Sequence, residues 1–422
     1  MSKKLLLFAA LLSVSMLAWG QRAGVREEVM ANPLKAYGTD YPYPMETPVL
    51  TKAPKGYKPF YISHYGRHGS RYYWNESLYK NMDSLLTEAH AKGALNEAGE
   101  AFYDKIYSIL PELTHGVSEM TPLGYEQHVR IAKAMYKSFP EVFKNGGNVY
   151  AISSLSDRCI ISMAAFCQAL AGCNSKLDIY QRASRETLNG VVPDDEENPY
   201  RRTFARQQFP VQGRPSSAAT PSAGKMPFVE MFFKDVSLIN WEPRRVQSVL
   251  NTFYTSLPNI GYEGIMGQPY SLEELYAQWE SSNASAYRGF WSRRTDVVPI
   301  LEDILDKAEA VMSGESHDVA SLRFGHDTYL GALTVLMGLD GSSTVPANPD
   351  DFKSVYQNYR TGMAGNIQLI FYKSRKPGAD ILVKALLCGE EVTLPLPGDM
   401  YPYYKWSDFD AYSRGLCDQF KD

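Results

Sequence analysis

Strand-like and helix-like stretches alternate at both ends of this 422-residue chain and stop alternating in its middle. Residues 59–65 (Pro-Phe-Tyr-Ile-Ser-His-Tyr) carry β-formers and run into Gly66 and Gly69, which predicts a strand ending in a loop. Helices are predicted over 76–93 and 97–111. Thr121-Pro122 reads as a helix start with Pro in the first position, continuing from Tyr125 to Phe139. A second strand is expected over 148–154, with a helix-like stretch from Cys159 to Leu170 after it. A third strand is expected over 318–324, leading into a helix from Thr328 to Met337. Residues 366–373 and 379–388 add two more strands. This alternation predicts an α/β fold, a mostly parallel sheet flanked by helices.

The middle of the chain lacks strands. It holds loop-like sequence from 183 to 228, then helix candidates at 243–256, 271–282 and 295–312. Ser271-Leu-Glu-Glu274 has the spacing of a capping box. The expected organisation is a first core part over 21–175, a mostly helical cap inserted over 176–316, and a second core part over 317–422.

Residues 1–20 read as an address. Lys3 and Lys4 precede an apolar run from Leu5 to Leu17, and Ala18 and Gly20 place small residues before a cut ahead of Gln21. The run is shorter than a membrane span needs, and no later stretch has that length without charges. The expectation is an exported protein, periplasmic or secreted, with no membrane span. Apolar residues at 44% and charged residues at 21% exclude a disordered or fibrous chain. Lys and Arg total 43 against 47 Asp and Glu, so the basic excess of a general nucleic-acid binder is missing. The five cysteines have neither Cys-x-x-Cys spacing nor a His cluster, which speaks against zinc. Most read as buried apolar thiols, and Cys388–Cys417 is a candidate disulfide.

The sharpest motif is Arg67-His68-Gly69-Ser70-Arg71, just after the first predicted strand, where α/β folds place their ligands. Two forked guanidiniums flanking a histidine suit a phosphate dianion, and the histidine can attack phosphorus. An exposed basic turn is the plain alternative. Gly325-His326-Asp327-Thr328 again follows a strand and opens a helix. There His326 suits phosphate contact and Asp327 suits general acid work, against the plainer reading that Asp327 or Thr328 merely caps the helix. Arg158 follows the second strand, with Ser162 and Phe166 on the helix behind it. All three features share one topology, which favours the joint reading.

With these residues the chain resembles the histidine acid phosphatases, the two-domain branch of the histidine phosphatase superfamily that includes phytases and multiple inositol polyphosphate phosphatases. The family signature, Arg-His-Gly-x-Arg early and His-Asp or His-Ala-Glu late, is matched by Arg67 to Arg71 and by His326-Asp327. The stretches Thr121-Pro-Leu-Gly124-Tyr-Glu-Gln127-His and Leu386-Leu387-Cys388-Gly389-Glu390 are also similar. The resemblance implies a phosphoglycerate mutase-like fold, His68 as nucleophile, and Arg67, Arg71, Arg158 and His326 as phosphate ligands. It implies Asp327 as proton donor to the leaving alcohol, a small-molecule phosphomonoester as partner, and no metal or organic cofactor. Two departures stand out. Tyr73 occupies a position that is often Pro, and the late motif is His-Asp-Thr where inositol polyphosphate phosphatases commonly have His-Ala-Glu.

The expected activity is an exported phosphomonoesterase acting on inositol polyphosphates. A broad-specificity or sugar-phosphate phosphatase is the alternative, with a phosphomutase or a non-catalytic binder behind it. Arg201, Arg202 and Arg206 lie in a stretch without acidic residues. They read either as a basic flap over a polyanion or as a solvated loop matched to nearby acids. His64 is expected to pack within the sheet, and His90, His115, His128 and His317 to lie at the surface or in the cap.

Overall fold

The computed structural model describes residues 24–44, 48–202, 205–219 and 225–420, so the expected export segment at 1–20 lies outside them. The strands are β1 (Tyr57–Arg67), β2 (Gly147–Ser153), β3 (Leu177–Arg182), β4 (Asp318–Gly325), β5 (Asn366–Ser374), β6 (Leu382–Leu387), β7 (Glu390–Glu391) and β8 (Tyr404–Lys405). They form one sheet in the order β3-β2-β4-β1-β5-β6-β7, with β8 also on β6. The expected parallel pairing holds across β3, β2, β4 and β1. From β5 onward the pairing is antiparallel; for β5 and β6 the short connection between them requires it, since a parallel crossover needs a long one.

Among the described residues, the α-helices of six residues or more are α1 (Val25–Ala31), α2 (Ser77–Ala91), α3 (Glu97–His115), α4 (Pro122–Ser138), α5 (Asp157–Cys173), α6 (Pro227–Phe232), α7 (Pro243–Ile260), α8 (Leu272–Ser292), α9 (Val298–Ser313), α10 (Asp327–Met337) and α11 (Trp406–Gln419). Their starts follow local chemistry. The Thr121 side chain accepts the Gly124 N–H, with Pro122 in the first turn. Ser271 and Glu274 complete the reciprocal capping box of α8.

Alternate residues of β1 face opposite layers, as a pleated strand requires. Tyr61 and Tyr65 pack with apolar residues of α9, α10 and α11. Ile62 packs on the other side with α4 and α5. A separate core joins α2 and α3 to α6 and α7. Each fully buried Leu or Phe there contributes roughly 1.5–3 kcal/mol, so this cap coheres by its own packing.

The segment 176–316 is therefore not one insertion. Leu177–Arg182 is the edge strand of the sheet, and Val298–Ser313 covers the sheet's face. Helices α2 and α3, expected in the core, belong to the cap because their apolar stripes meet α6 and α7. None of the five cysteines forms a disulfide, so Cys388 and Cys417 are not bridged. The Cys388 thiol donates to the Arg360 carbonyl at 2.9 Å, and Cys417 packs in the apolar layer beside the sheet.

Candidate active site

The parallel register pairs Arg67 with Gly325. The next residue on each strand is a histidine, so His68 and His326 emerge side by side, their ring centroids 5.6 Å apart. Backbone bonds fix the loop after β1. His68 N–H donates to the Gly325 carbonyl at 3.0 Å, and Ala364 N–H donates to the His68 carbonyl at 2.9 Å. The His68 ring is buried, and its Nδ1 lies 2.9 Å from the Gly69 carbonyl oxygen. A carbonyl only accepts, so Nδ1 carries the proton and Nε2 keeps its lone pair. Burial, and then Arg67, Arg71, His326 and Arg158, hold the His68 pKa well below the usual histidine range. The ring is neutral, with its lone pair on Nε2.

Gly69 is dictated by close approach. A Cβ there would fall 2.4 Å from the Gly124 carbonyl oxygen, and one on Gly124 would fall 2.2 Å from that of Ser70. The loop is pinned further at Ser70. Its N–H donates to Gln127 Oε1 at 2.9 Å, Gln127 Nε2 donates to Ser70 Oγ at 2.9 Å, and that hydroxyl donates to Asn259 Oδ1 at 2.7 Å. Gly69 N–H donates to Ser162 Oγ at 3.1 Å.

Three arginines converge here. Arg67, almost fully buried, donates to the carbonyls of Thr39 and Thr361 and lies 3.7 Å from the Asp327 carboxylate. Arg71 donates to the Tyr72 carbonyl at 3.1 Å, and burial pushes its pKa down to about 10. Arg158, in the first turn of α5, donates to Ser118 Oγ at 2.7 Å. Ser118 itself sits at a φ of 69°, in the left-handed region. The buried Nε atoms of Arg67, Arg71 and Arg158 have no protein partner among the described residues, which fits a cradle for an anion.

The His326 Nε2 lies 3.2 Å from Ser154 Oγ. Burial, then Arg158, lowers its pKa to about 4. His326 is the N-cap of α10 without a side-chain capping bond, and Asp327 is the first helical residue. Burial pushes the Asp327 carboxyl up, but Arg67 and Arg71 outweigh it and hold its pKa below the usual carboxylate range.

Sequence reasoning missed Asp40, whose carboxyl is charge-coupled to Arg71, Arg67 and Asp327, with burial raising its pKa. It gave no role to Ser70, Gln127, Asn259 and Ser118, although Gln127 stands in a motif already similar to the family. It also placed His128 at the surface or in the cap. His128 is instead buried against Phe324 with ring centroids 5.8 Å apart. The buried residues of α4 are Gly124, Gln127, His128, Ile131, Ala132 and Met135, an i, i+3, i+4, i+7 spacing that carries His128 inward. His64 packs within the sheet, between Phe166 and Phe324. His90, His115 and His317 are exposed. At the Pro-to-Tyr departure, the Tyr73 N–H donates to the Tyr79 hydroxyl at 2.8 Å, a bond a proline could not make.

The basic stretch divides. Arg202 pairs with Glu302 at 2.6 Å, Arg206 pairs with Asp296 at 2.9 Å and Asp194 at 3.5 Å, and Arg201 is exposed. Asp194 also accepts the hydroxyl of Tyr329, whose ring lies 6.3 Å from that of His326. The stretch thus borders the site, with Arg202 and Arg206 matched to acids.

Solved structures of other proteins share this fold. A multiple inositol polyphosphate phosphatase from Bifidobacterium longum, in complex with inositol hexasulfate, superimposes with a TM-score of 0.67 at 17% identity, covering 88% of this chain and 96% of that one. The phytase from D. castellii gives 0.65 at 14% identity, covering 91% and 85%. Hafnia alvei phytase in complex with tartrate gives 0.56 at 12% identity, covering 86% and 99%. At such identities the likeness is one of fold. No curated protein matches the chain in sequence. Residues 66–209 match the family model of the histidine phosphatase superfamily (branch 2), and the chain shares its fold with these phosphatases.

Proposed function

We propose that the protein is an exported phosphomonoesterase that hydrolyses inositol polyphosphates through a phosphohistidine at His68. The observation that carries this reading is a histidine held as the Nε2 nucleophile by the Gly69 carbonyl, inside a cradle of three buried or half-buried arginines. In the first step Nε2 attacks phosphorus, the ester P–O bond breaks, and Asp327 gives its proton to the departing alkoxide. In the second step water attacks the phosphohistidine, Asp327 takes the water proton, the P–N bond breaks and inorganic phosphate leaves. Arg67, Arg71, Arg158 and His326 hold the phosphoryl oxygens, and the arginines supply charge that a metal would otherwise provide. Export rests on residues 1–20. The substrate class is supported by the inositol hexasulfate and phytase structures that share the fold.

The second reading, a broad-specificity or sugar-phosphate phosphatase, is favoured by one observation. Arg202 and Arg206 are engaged by acids, so the strongly basic surroundings a hexakisphosphate would use are partly neutralised.

Phosphate release from inositol hexakisphosphate, glucose 1-phosphate, a phosphotyrosine peptide and nitrophenyl phosphate separates the two. Quenching during turnover of labelled substrate should trap label on the peptide containing His68, and His68→Ala should abolish both label and activity. Full activity in that variant would sink the assignment.

A further inference from the structure

The segment Pro33–Asp40, a turn of 3-10 helix broken at Gly38, crosses the site as a strap. Three consecutive carbonyls hold it there. That of Thr39 accepts from Arg67, that of Asp40 accepts from Asn259 Nδ2 at 2.7 Å, and that of Tyr41 accepts from Met363 N–H at 2.8 Å. Asn259 is the same residue that receives the Ser70 hydroxyl. The strap is anchored outside the site as well. Tyr41 is buried, its ring edge-on to Tyr359, and Lys35 pairs with Glu28 at 2.9 Å. Gly38 has a φ of 60°, and a Cβ on it would fall 2.5 Å from Asn358 Nδ2, so the bend that aims Asp40 is built for glycine.

Asp40 therefore reaches the arginine cradle from a segment no signature motif includes. Its carboxyl is coupled to Arg71, Arg67 and Asp327, and to Tyr73 at the position where the family often has Pro. It thus keeps company with the group that protonates the leaving oxygen. A carboxylate there repels a second phosphate and accepts a hydrogen bond from a hydroxyl.

We infer that Asp40 is a specificity-determining residue, which accepts a hydrogen bond from a free hydroxyl on the carbon next to the scissile phosphate ester. The site then favours phosphomonoesters of polyols with that neighbour unphosphorylated, whether sugar phosphates or partly dephosphorylated inositols. The inference rests on the phosphatase reading above and narrows its substrate class.

The test compares glucose 1-phosphate with 2-deoxyglucose 1-phosphate, in the wild type and in Asp40→Asn. One hydrogen bond to a charged group corresponds to about tenfold or more in kcat/KM. The wild type should lose about that factor on removal of the hydroxyl, and Asp40→Asn should discriminate about twofold or less. In the variant, inositol hexakisphosphate should also gain on glucose 1-phosphate. An equal hydroxyl effect in both proteins overturns the assignment, as does turnover of hexakisphosphate with neither sugar phosphate accepted. Should Asp40→Asn lose its cooperative melt, the wild type decides, and equal rates on the two sugar phosphates overturn it. Absence of phosphate release from every ester, nitrophenyl phosphate included, removes the phosphatase reading and this inference together. Release from all with no hydroxyl effect removes only the role of Asp40.

Discussion

Gly69 and Gly124 face each other across the His68 loop so closely that neither position has room for a methyl group. The contact joins the loop after β1 to the first turn of α4, 55 residues later in the chain.

Gly124→Ala should destabilise the protein by about 1–3 kcal/mol, the usual size of overpacking. The obstacle is the Ser70 backbone rather than a flexible side chain, so His68 should also be displaced and kcat should fall steeply. Gly172→Ala is the control. It lies in α5 with nothing within 4 Å of its Cβ position, and should leave stability unchanged or raise it by up to about 1 kcal/mol. Urea unfolding and steady-state kinetics check both, and a silent Gly124→Ala would show that the loop has slack.

Asp327→Asn should slow phosphoenzyme formation from inositol phosphate about a hundredfold or more, and from nitrophenyl phosphate far less, because nitrophenolate leaves without a proton. The single-turnover burst is the readout. Equal losses on both esters would mean that Asp327 only holds phosphate.

The same carboxyl sets a pH signature. Arg67 and Arg71 hold its pKa down, and it must be protonated to act as an acid. Activity should fall as pH rises through that pKa. A bound phosphate dianion raises it, so the falling limb of kcat should lie at higher pH than that of kcat/KM. Coincident limbs would contradict the role.

His64 and His128 predict an acid weakness. Burial pushes both pKa values down to about 3, whereas an unfolded histidine titrates near about 6.5. Between these values the unfolded chain binds protons that the native state refuses. Stability therefore falls as pH drops through that window, by about 2 kcal/mol per histidine from pH 7 to pH 5. His128→Leu should remove about that much of the loss, measured by urea unfolding at the two pH values. An unchanged pH dependence would exclude His128 as a cause.

Converting Arg201, Arg202 and Arg206 together to Gln should weaken hexakisphosphate more than nitrophenyl phosphate if they meet the polyanion. Equal effects on both favour the ion-pair reading. Loss of the pairs with Glu302 and Asp296 should cost about 1 kcal/mol or less each, since the arginines are half-exposed.

The parts of the site that sit next to a strong strand were legible in the chain. The apolar runs before His68, Arg158 and His326 mark strand ends, and strand ends gather charged motifs at one edge. Asp40 and Asn259 were not legible. They arrive from a 3-10 strap and a helix end, and only tertiary contacts bring them to Arg67 and Ser70. Strand β3 was missed because it is a short edge strand with mostly polar, outward residues. Helix α11 was missed because Ser, Asp and aromatic residues are poor helix formers, and it is held by packing of Phe409 and Cys417 on the sheet layer. The cap boundary failed because amphipathic periodicity marks which face of α2 and α3 is buried, without naming the surface they meet.

The strand order carries a temporal meaning. β4 lies between β1 and β2, so during synthesis the two earlier strands wait with unpaired edges until residue 318 has been made. His68 has no neighbouring His326 and no Gly325 carbonyl to hold its backbone before that moment. Pairing across so long a sequence separation is slow to form. A nascent or truncated chain therefore carries His68 without its neighbours, and the cluster around it is assembled only with the last quarter of the polypeptide.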